Sequence, residues 1–168
     1  MMVGARVPKR LVLHLPLLAI LLMALLTRSY HLGHLGFSYD EGASAYMAEA
    51  VRANVWTNDV HPPLYIAVLA AWGSVADGDL WLRSLSVVFG VATVAVVYAL
   101  GGALLTRSAG LWAAALLSVT YFHVKYSQEA RMYALMGLLF ATTFWDSSSR
   151  YGNSVAAGGS STARPGRS

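Results

Sequence analysis

Residues 84–106 read SLSVVFGVATVAVVYALGGALLT, a stretch of 23 positions without a charged side chain between Arg83 and Arg107. A helix needs about 20 predominantly apolar residues to cross the hydrocarbon core of a bilayer, so this stretch predicts a membrane-spanning helix. The rest of the chain agrees: of its 168 residues 57% are hydrophobic and 12% are charged, and the mean hydropathy is +0.53. Soluble domains carry about 25% charged residues. The composition therefore predicts an all-α integral membrane protein.

Three further charge-free gaps could hold spanning helices. Residues 11–27 and 108–124 are each 17 positions long, and residues 132–145 are 14. Together with residues 84–106 they predict about four transmembrane helices, of which the last requires snorkelling ends or a locally thinner bilayer. The basic residues before the first gap leave open a cleaved signal peptide, although the gap is longer than the usual apolar core of such a peptide.

A fifth apolar stretch, residues 64–76, begins directly after His61-Pro62-Pro63 and is only 13 positions long. That length favours a re-entrant or interfacial helix in the first external loop over a true span. A fifth short span stays open as the alternative, and it would reverse the sidedness of everything after it.

The basic residues give a weak signal for orientation. With four spans and the N-terminus inside, seven of the twelve Lys and Arg side chains lie inside, and seven of the eight carboxylates lie outside. Since cytoplasmic loops carry the excess of Lys and Arg, we expect two acidic, aromatic-rich external loops. The net charge of +4 and the pI of 9.6 then reflect topology, so we expect contact with membrane lipids and no nucleic-acid partner. The absence of cysteine excludes disulfides, thiolate zinc sites and iron–sulfur clusters.

The composition changes at Asp146, from where the chain reads DSSSRYGNSVAAGGSSTARPGRS. Ser, Gly and Arg dominate and there is no apolar periodicity, which is typical of a disordered segment. We therefore expect residues 1–145 to form the N-terminal portion of a multi-span membrane domain. Residues 146–168 are expected to be a disordered tail, as in a truncated or frame-shifted product.

The first external loop holds YDEG at residues 39–42, followed by an amphipathic pattern up to residue 51. The pattern predicts a helix that lies along the membrane surface. Asp40 and Glu41 stand at its start, where the helix N-terminus favours acidic side chains, so a capping role is one interpretation and catalysis is the other. Further on, HPPLY places His61 beside a helix mouth, where it either donates a hydrogen bond to an anion or is simply solvated.

The second external loop, YFHVKYSQEARMYAL at residues 121–135, crowds polar side chains between two predicted spans. Charges at membrane depth are costly unless they face a cavity or one another, so we expect Glu129 and Arg131 to point into the bundle. Arginine suits phosphate, because its planar fork binds bidentately. The alternative is an ion pair of Glu129 with Arg131 or Lys125 that merely anchors the helix ends.

In their order and spacing, YDEG, HPPLY, LWLRSLSVVFGVATVAVVYALG and YFHVKYSQEARMYAL resemble the start of the polyprenyl-phosphate-dependent glycosyltransferases of the glycosyltransferase C superfamily. That group includes protein O-mannosyltransferases and lipid A aminoarabinose transferases, and the resemblance covers about residues 11–145. It implies that Asp40 is the catalytic base, with Glu41 beside it, and that His61 to Tyr65 frame the donor phosphate. It further implies that the second-loop motif binds substrate in the same cavity, through Gln128, Glu129, Arg131 and Tyr133.

The resemblance implies a multi-pass glycosyltransferase of the cell membrane with an extracytoplasmic active face. Such an enzyme transfers a sugar from a polyprenyl-phosphate donor to a hydroxyl of a glycan, lipid or protein acceptor. A carboxylate takes the proton of the acceptor, and Arg131 and His61 stabilise the departing phosphate. No nucleotide is needed, while a divalent metal is possible through Asp40, Glu41 and Glu129. Two interpretations stay open beside it: a non-enzymatic membrane protein, such as a transporter fragment or assembly factor, and an inactive remnant.

Overall fold

The computed structural model describes residues 9–34, 36–55 and 62–159. Within them the chain is helical and contains no strand, in agreement with the predicted all-α class. The helices are α1 (Lys9–Ser29), α2 (Tyr39–Arg52), α3 (Pro63–Gly73), α4 (Asp79–Leu104), α5 (Arg107–Val119), α6 (Tyr121–Ser127) and α7 (Tyr133–Gly159). Among the described residues, α4 is the one helix that is both long and apolar enough to cross a membrane. The count of four spans stays a prediction.

The central helix of the fold is α4, which contains almost all of the charge-free stretch. Its 26 residues extend about 39 Å, which is more than the hydrocarbon core of about 30 Å. It packs against α1, α5 and α7, and its fully buried Val94 clusters with Ala24 of α1 and Ala114 of α5. Because two of these three side chains are small, the three helices can approach closely. The helices α1, α5 and α7 therefore pack around α4.

Two glycines bring α4 and α5 into direct contact at the C-terminal end of α4. A Cβ atom on Gly101 would lie 2.7 Å from the Cα of Gly110, and one on Gly110 would overlap the carbonyl oxygen of Tyr98. Real Cβ atoms do not approach other heavy atoms so closely. The turn between the two helices is therefore closed by contact between backbones, with no room for a side chain.

The helix α2 begins at the YDEG motif, as the sequence predicts. Ser38 caps it: the Ser38 hydroxyl accepts from the backbone N–H of Glu41, and the Glu41 carboxylate accepts from the backbone N–H of Ser38. This reciprocal capping box satisfies two N–H groups that a helix start otherwise leaves free. The buried face of α2 packs through Met47 against α3 and against Leu85 of α4.

The helix α3 folds back onto the start of α4 through two tryptophans. The Trp72 indole N–H donates to the carbonyl of Trp81 at 3.1 Å, and the Trp81 indole N–H donates to the carbonyl of Trp72 at 2.9 Å. Gly78 turns the chain between them with a φ of +111°, a conformation that glycine adopts without steric cost. With 11 residues, α3 is about 16 Å long and cannot cross a bilayer unaided. Its length fits the predicted re-entrant or interfacial helix rather than a fifth span.

The predicted span over residues 108–124 is not a single helix. The chain breaks at Thr120, which adopts an extended conformation (φ −63°, ψ 118°) between α5 and α6. The cause lies in α1, where the Arg28 guanidinium donates to the carbonyl oxygens of Leu117 and Ser118 at 3.3 and 3.0 Å. In an unbroken helix these carbonyls accept the N–H groups four residues further along. Here the buried arginine satisfies them, and α5 ends.

The helix α7 continues well past the expected boundary at Asp146. It extends to Gly159, whereas the sequence predicts a disordered tail from Asp146; the division of the chain at that residue stays a prediction. Asp146 and Arg150 form an ion pair of 2.8 Å at helical spacing, and the Ser147 hydroxyl donates to a backbone carbonyl of the preceding turn. Such pairs support a helix even where apolar periodicity is lacking. Residues 160–168 of the predicted tail lie outside the described residues.

Candidate active site

The Glu41 carboxylate accepts several hydrogen bonds near the N-terminal end of α4. Arg83 donates to both of its oxygens, from Nε to Oε1 at 2.7 Å and from Nη2 to Oε2 at 2.8 Å. The backbone N–H of Ala130 donates to Oε1 at 2.9 Å, and the N–H and hydroxyl of Ser38 donate to Oε2 at 3.0 and 3.1 Å. Only 3% of Glu41 is exposed. The carboxylate therefore ties together α2, α4 and the segment that precedes α7.

These bonds favour the charged form of Glu41. Burial alone raises its pKa, but the hydrogen bonds from Arg83 and from the backbone of Ser38 and Ala130 outweigh burial and lower the pKa to about 2. A carboxylate with such a low pKa and no free oxygen is a poor proton acceptor. Glu41, which the sequence placed beside the catalytic base, thus has both oxygens engaged in contacts that join three segments; a catalytic role for it stays a prediction.

Arg83 is the ion-pair partner of Glu41, and the sequence did not single it out. In the sequence Arg83 only marks the start of the charge-free stretch. Its guanidinium also donates to the carbonyl oxygens of Leu32 and Gly36, both at 3.1 Å, and lies 5.2 Å from the ring centroid of Phe37. The position of Arg83 in the sequence does indicate a partner, because a charge four residues into an apolar helix is costly unless it is paired. A search for the partner of Arg83 would have led to the acidic pair of the first loop.

Asp40 behaves differently from its neighbour. Its side chain is 65% exposed, and its Oδ2 lies 3.5 Å from Nη2 of Arg131, whose own side chain is only 9% exposed. A second contact fixes the arginine, since its Nη1 donates to the backbone carbonyl of Asp40 at 3.0 Å. The two loop motifs predicted to converge do meet here. The meeting point is an accessible carboxylate beside a nearly buried guanidinium.

The predicted alternative, an ion pair of Glu129 with Arg131 or Lys125, is not present. Arg131 pairs with Asp40, and no hydrogen bond or ion pair to the Glu129 carboxylate occurs within the ranges that the structure describes. Glu129 is partly buried, and burial raises its pKa, while the charge of nearby Lys125 opposes the rise. Glu129 is thus near the site without direct contact to its members.

Two other residues of the second loop take different positions. The Arg131 guanidinium carbon lies 5.6 Å from the ring centroid of Tyr133, so the two side chains form a cation–π contact. Gln128, predicted to bind substrate, instead turns its amide NH2 to the end of α1, donating to the carbonyls of Arg28 and Tyr30 at 3.2 and 2.9 Å. It caps that helix.

The HPPLY motif does not contribute an accessible side chain to the described site. Tyr65 is 2% exposed and belongs to the core between α2, α3 and α4, so its predicted role in substrate binding stays a prediction that this burial does not support. Its hydroxyl is buried next to the buried hydroxyl of Ser86. His61 lies outside the described residues, so its predicted role is not addressed by this geometry.

A divalent metal, which the sequence left possible, would need oxygen ligands. In residues 9–34, 36–55 and 62–159 no group of three His, Asp or Glu side chains is placed to hold a metal ion. Both oxygens of Glu41 are engaged by Arg83, so this carboxylate does not fit a ligand role.

A comparison with protein families decides the relationship of the chain. The family model for dolichyl-phosphate-mannose-protein mannosyltransferase matches residues 60–150, which is more than half of the sequence. The chain belongs to this mannosyltransferase family. Neither the curated proteins nor the solved structures contain a significant match. Family membership and the apolar helix α4 together indicate a membrane protein of glycosyltransferase type.

The region matched to the mannosyltransferase family begins after α2. It contains Arg83 and Arg131, while Asp40 and Glu41 precede it. The two acidic residues are nevertheless joined to the matched region by their contacts, Glu41 to Arg83 and Asp40 to Arg131. A role for Asp40 in this mannosyltransferase-type chain therefore rests on geometry and not on the family match.

Proposed function

We propose that this chain forms the extracytoplasmic catalytic centre of a membrane glycosyltransferase that takes its sugar from a polyprenyl-phosphate donor. The observation that carries the proposal is the exposed Asp40 carboxylate, held 3.5 Å from the nearly buried guanidinium of Arg131. The family name adds support for a mannose-type sugar on a dolichyl-type phosphate. The acceptor is a hydroxyl of a protein, glycan or lipid.

Asp40 is the general base in this proposal. The acceptor oxygen attacks the anomeric carbon of the sugar, the bond from that carbon to the phosphate oxygen breaks, and its electron pair leaves with the polyprenyl phosphate. The proton of the acceptor hydroxyl passes to Asp40. A positioned base of this kind contributes about 10²–10⁴ in rate.

Inversion at the anomeric carbon follows from the neighbouring residue. A double displacement would need a second carboxylate as nucleophile, and both oxygens of Glu41 are engaged by Arg83. Glu41 therefore does not act as the nucleophile beside Asp40 in this proposal, and a single displacement inverts the configuration.

Arg131 stabilises the leaving phosphate. Its guanidinium is shielded from solvent and is already fixed by the Asp40 carbonyl and the Tyr133 ring. A preorganised cation in a site of low dielectric constant interacts strongly with the charge that develops on the phosphate. The arginine therefore needs little reorganisation during the reaction.

The extracytoplasmic placement rests on charge and on the convergence of the loops. Asp40, Glu41 and Arg131 gather at the N-terminal end of α4, while Gly101 lies near its other end. With the N-terminus inside and four spans, this end of α4 faces outward, and the membrane-embedded chain is multi-pass. Lipid-linked sugar then approaches the site from the bilayer.

The test is sugar transfer by membranes that contain the chain, with radiolabelled mannose on a polyprenyl phosphate as donor. Asp40→Asn keeps the size of the side chain and removes the base, so transfer should fall by about 10²–10⁴ at an unchanged protein level. The matched control is Asp77→Asn, because Asp77 is also an exposed carboxylate with an arginine partner, Arg52. It should leave transfer unchanged. Near-normal transfer by Asp40→Asn, or an equal loss in Asp77→Asn, would refute the assignment.

A further inference from the structure

Arg28, next to the last residue of α1, is fully buried, and no ion pair joins it to a carboxylate in the described part of the chain. Its guanidinium donates to neutral acceptors instead, among them the backbone carbonyls of Ala24 and Ser118 at 3.1 and 3.0 Å. A buried charge is costly unless hydrogen bonds replace the water that it has lost. The position of Arg28 therefore depends on acceptors that carry no charge.

His123 of α6 is one of these acceptors. Its Nδ1 lies 2.6 Å from Nη2 of Arg28. Because a guanidinium has only donors, Nδ1 must accept, so the imidazole is neutral and carries its hydrogen on Nε2. A protonated imidazole donates from both nitrogens and cannot accept this hydrogen bond. The contact between Arg28 and His123 therefore exists only while His123 is neutral.

The surroundings of His123 do not offset a second positive charge. Within the described ranges, Arg28 is the charged group that interacts with it, and burial and the Arg28 charge together lower the pKa of His123 to about 4. Tyr126 of the same helix and Tyr133 of α7 line one wall with His123, and α5 carries its one ionisable side chain, Arg107, at the opposite end. The ionisable side chains of α4 that do not contribute to this shift are Asp79, Arg83 and Tyr98. Protonation would thus place two cations in contact, with their nitrogen atoms 2.6 Å apart.

The hydrogen bond from Arg28 holds α6 against α1. Beyond the break at Thr120, α6 has only seven residues, and a helix that short has little stability of its own. Its position therefore depends on tertiary contacts. At its C-terminal end, Ser127 is 1% exposed and packs so closely on Gly90 of α4 that a Cβ atom on this glycine would overlap the Ser127 hydroxyl. Loss of the bond from Arg28 removes the polar contact that fixes the other side of this short helix.

We propose that the contact between Arg28 and His123 is a pH-sensitive switch, which releases α6 from α1 when His123 takes up a proton from solvent. The proton binds Nδ1, the hydrogen bond from Arg28 breaks, and the two cations repel each other. Because the pKa of His123 is lower in the folded than in the unfolded chain, the contact is fully present above about pH 6.5. It is lost as the pH falls through about 4. Such a switch does not depend on the proposed glycosyl transfer.

The first test reads the protonation state of His123 by NMR, with the full chain in phosphatidylcholine nanodiscs and nitrogen-15 in its histidines and arginines. The His123 signal is recognised by transfer from an arginine nitrogen across the 2.6 Å contact. We expect the hydrogen on Nε2 and a ring that is still neutral at about pH 5, where free imidazole is mostly protonated. A hydrogen on Nδ1 at neutral pH, or a protonated ring at about pH 5, would overturn the proposal.

The second test measures hydrogen exchange of the backbone amides of α6, corrected for the pH dependence of the exchange chemistry. Between about pH 7 and about pH 4, the protection of α6 should fall at least about tenfold. The protection of α2 should change less than about twofold, because Glu41 has a pKa of about 2 and stays charged in this range. Unchanged protection of α6 would refute the switch.

His123→Asn separates the switch from other effects of acid. The amide oxygen of asparagine replaces Nδ1 as the acceptor for Arg28 but takes up no proton in this range, so the loss of α6 protection should disappear. His34→Asn is the matched control, because His34 is an exposed histidine, and it should keep the loss. An equal loss in His123→Asn and in the unchanged chain would also refute the switch. If His123→Asn does not fold, the NMR and exchange measurements on the unchanged chain still decide.

Discussion

The buried ion pair between Glu41 and Arg83 makes the stability of this protein depend on one carboxylate. Glu41→Gln keeps the shape of the side chain but removes its charge and replaces one acceptor oxygen with an NH2 group. That group would face donors from Arg83 and Ser38, both of which now bond to Oε2. Arg83 would remain buried and would lose the counter-charge of Glu41.

The size of the effect follows from the burial of the ion pair. Removing one partner of a buried ion pair costs about 3–5 kcal/mol, because the other charge stays desolvated. The lowered pKa of Glu41 agrees in direction, because the hydrogen bonds that lower it stabilise the charged carboxylate in the folded chain. The cost is a large share of a typical stability of about 5–15 kcal/mol. We therefore expect Glu41→Gln to lower the free energy of unfolding by about 3–5 kcal/mol.

The direction of the pH dependence follows from the same shift. The pKa of Glu41 is lower in the folded than in the unfolded chain, so its stabilisation is fully present above about pH 4.5. It is lost as the pH falls toward 2. Glu41→Gln should lack this component of acid unfolding.

The assay is reversible unfolding in mixed micelles with increasing detergent denaturant, followed by circular dichroism. Asp40→Asn is the control, since its side chain is 65% exposed and its ion pair should contribute less than about 1 kcal/mol. The double variant with Arg83→Gln should be less destabilised than the sum of the two single variants. A loss below about 1 kcal/mol in Glu41→Gln, or additive effects in the double variant, would refute the assignment of Glu41 as the anchor.

Two further predictions concern other parts of the fold. Gly110→Ala should lower the free energy of unfolding by about 1–3 kcal/mol because its Cβ would overlap the Tyr98 carbonyl, and equal stability of Gly110→Ala and a Gly102→Ala control would contradict this contact. Arg131→Lys should raise the donor concentration for half-maximal transfer about tenfold, since lysine cannot contact the Asp40 carbonyl and a phosphate as a planar fork does. An unchanged value in a transfer titration would remove Arg131 from the donor site.

The sequence predicts best where a single local pattern decides the structure. The charge-free residues 84–106 lie almost wholly in α4, and the YDEG motif lies at the start of α2 because a serine cap and an acidic first turn are local signals. The convergence of the two loops was expected from the family resemblance and agrees with the Asp40–Arg131 contact.

The structure differs from the sequence prediction most clearly where a residue far along the chain determines where a helix ends. The break at Thr120 depends on Arg28, which is about 90 positions away and satisfies the carbonyls that end α5. No pattern within residues 108–124 contains that information. The extent of α7 differs from the prediction for a local reason: the loss of apolar periodicity after Asp146 indicated an end, whereas the helix continues and contains the Asp146–Arg150 pair.

The division of roles between Asp40 and Glu41 is the clearest case, because the two adjacent carboxylates share the same local sequence. The Glu41 carboxylate accepts hydrogen bonds from Arg83, which is 42 positions away, and from the backbone N–H of Ala130. Arg131, the residue after Ala130, contacts Asp40 instead. The segment before α7 thus docks on the first turn of α2 at two successive residues. Because the anchor and the reactive carboxylate share that contact, loosening Glu41 also moves Arg131 relative to Asp40. In this proposal the buried Glu41–Arg83 ion pair therefore supports catalysis indirectly, because it fixes the position of Arg131 relative to Asp40.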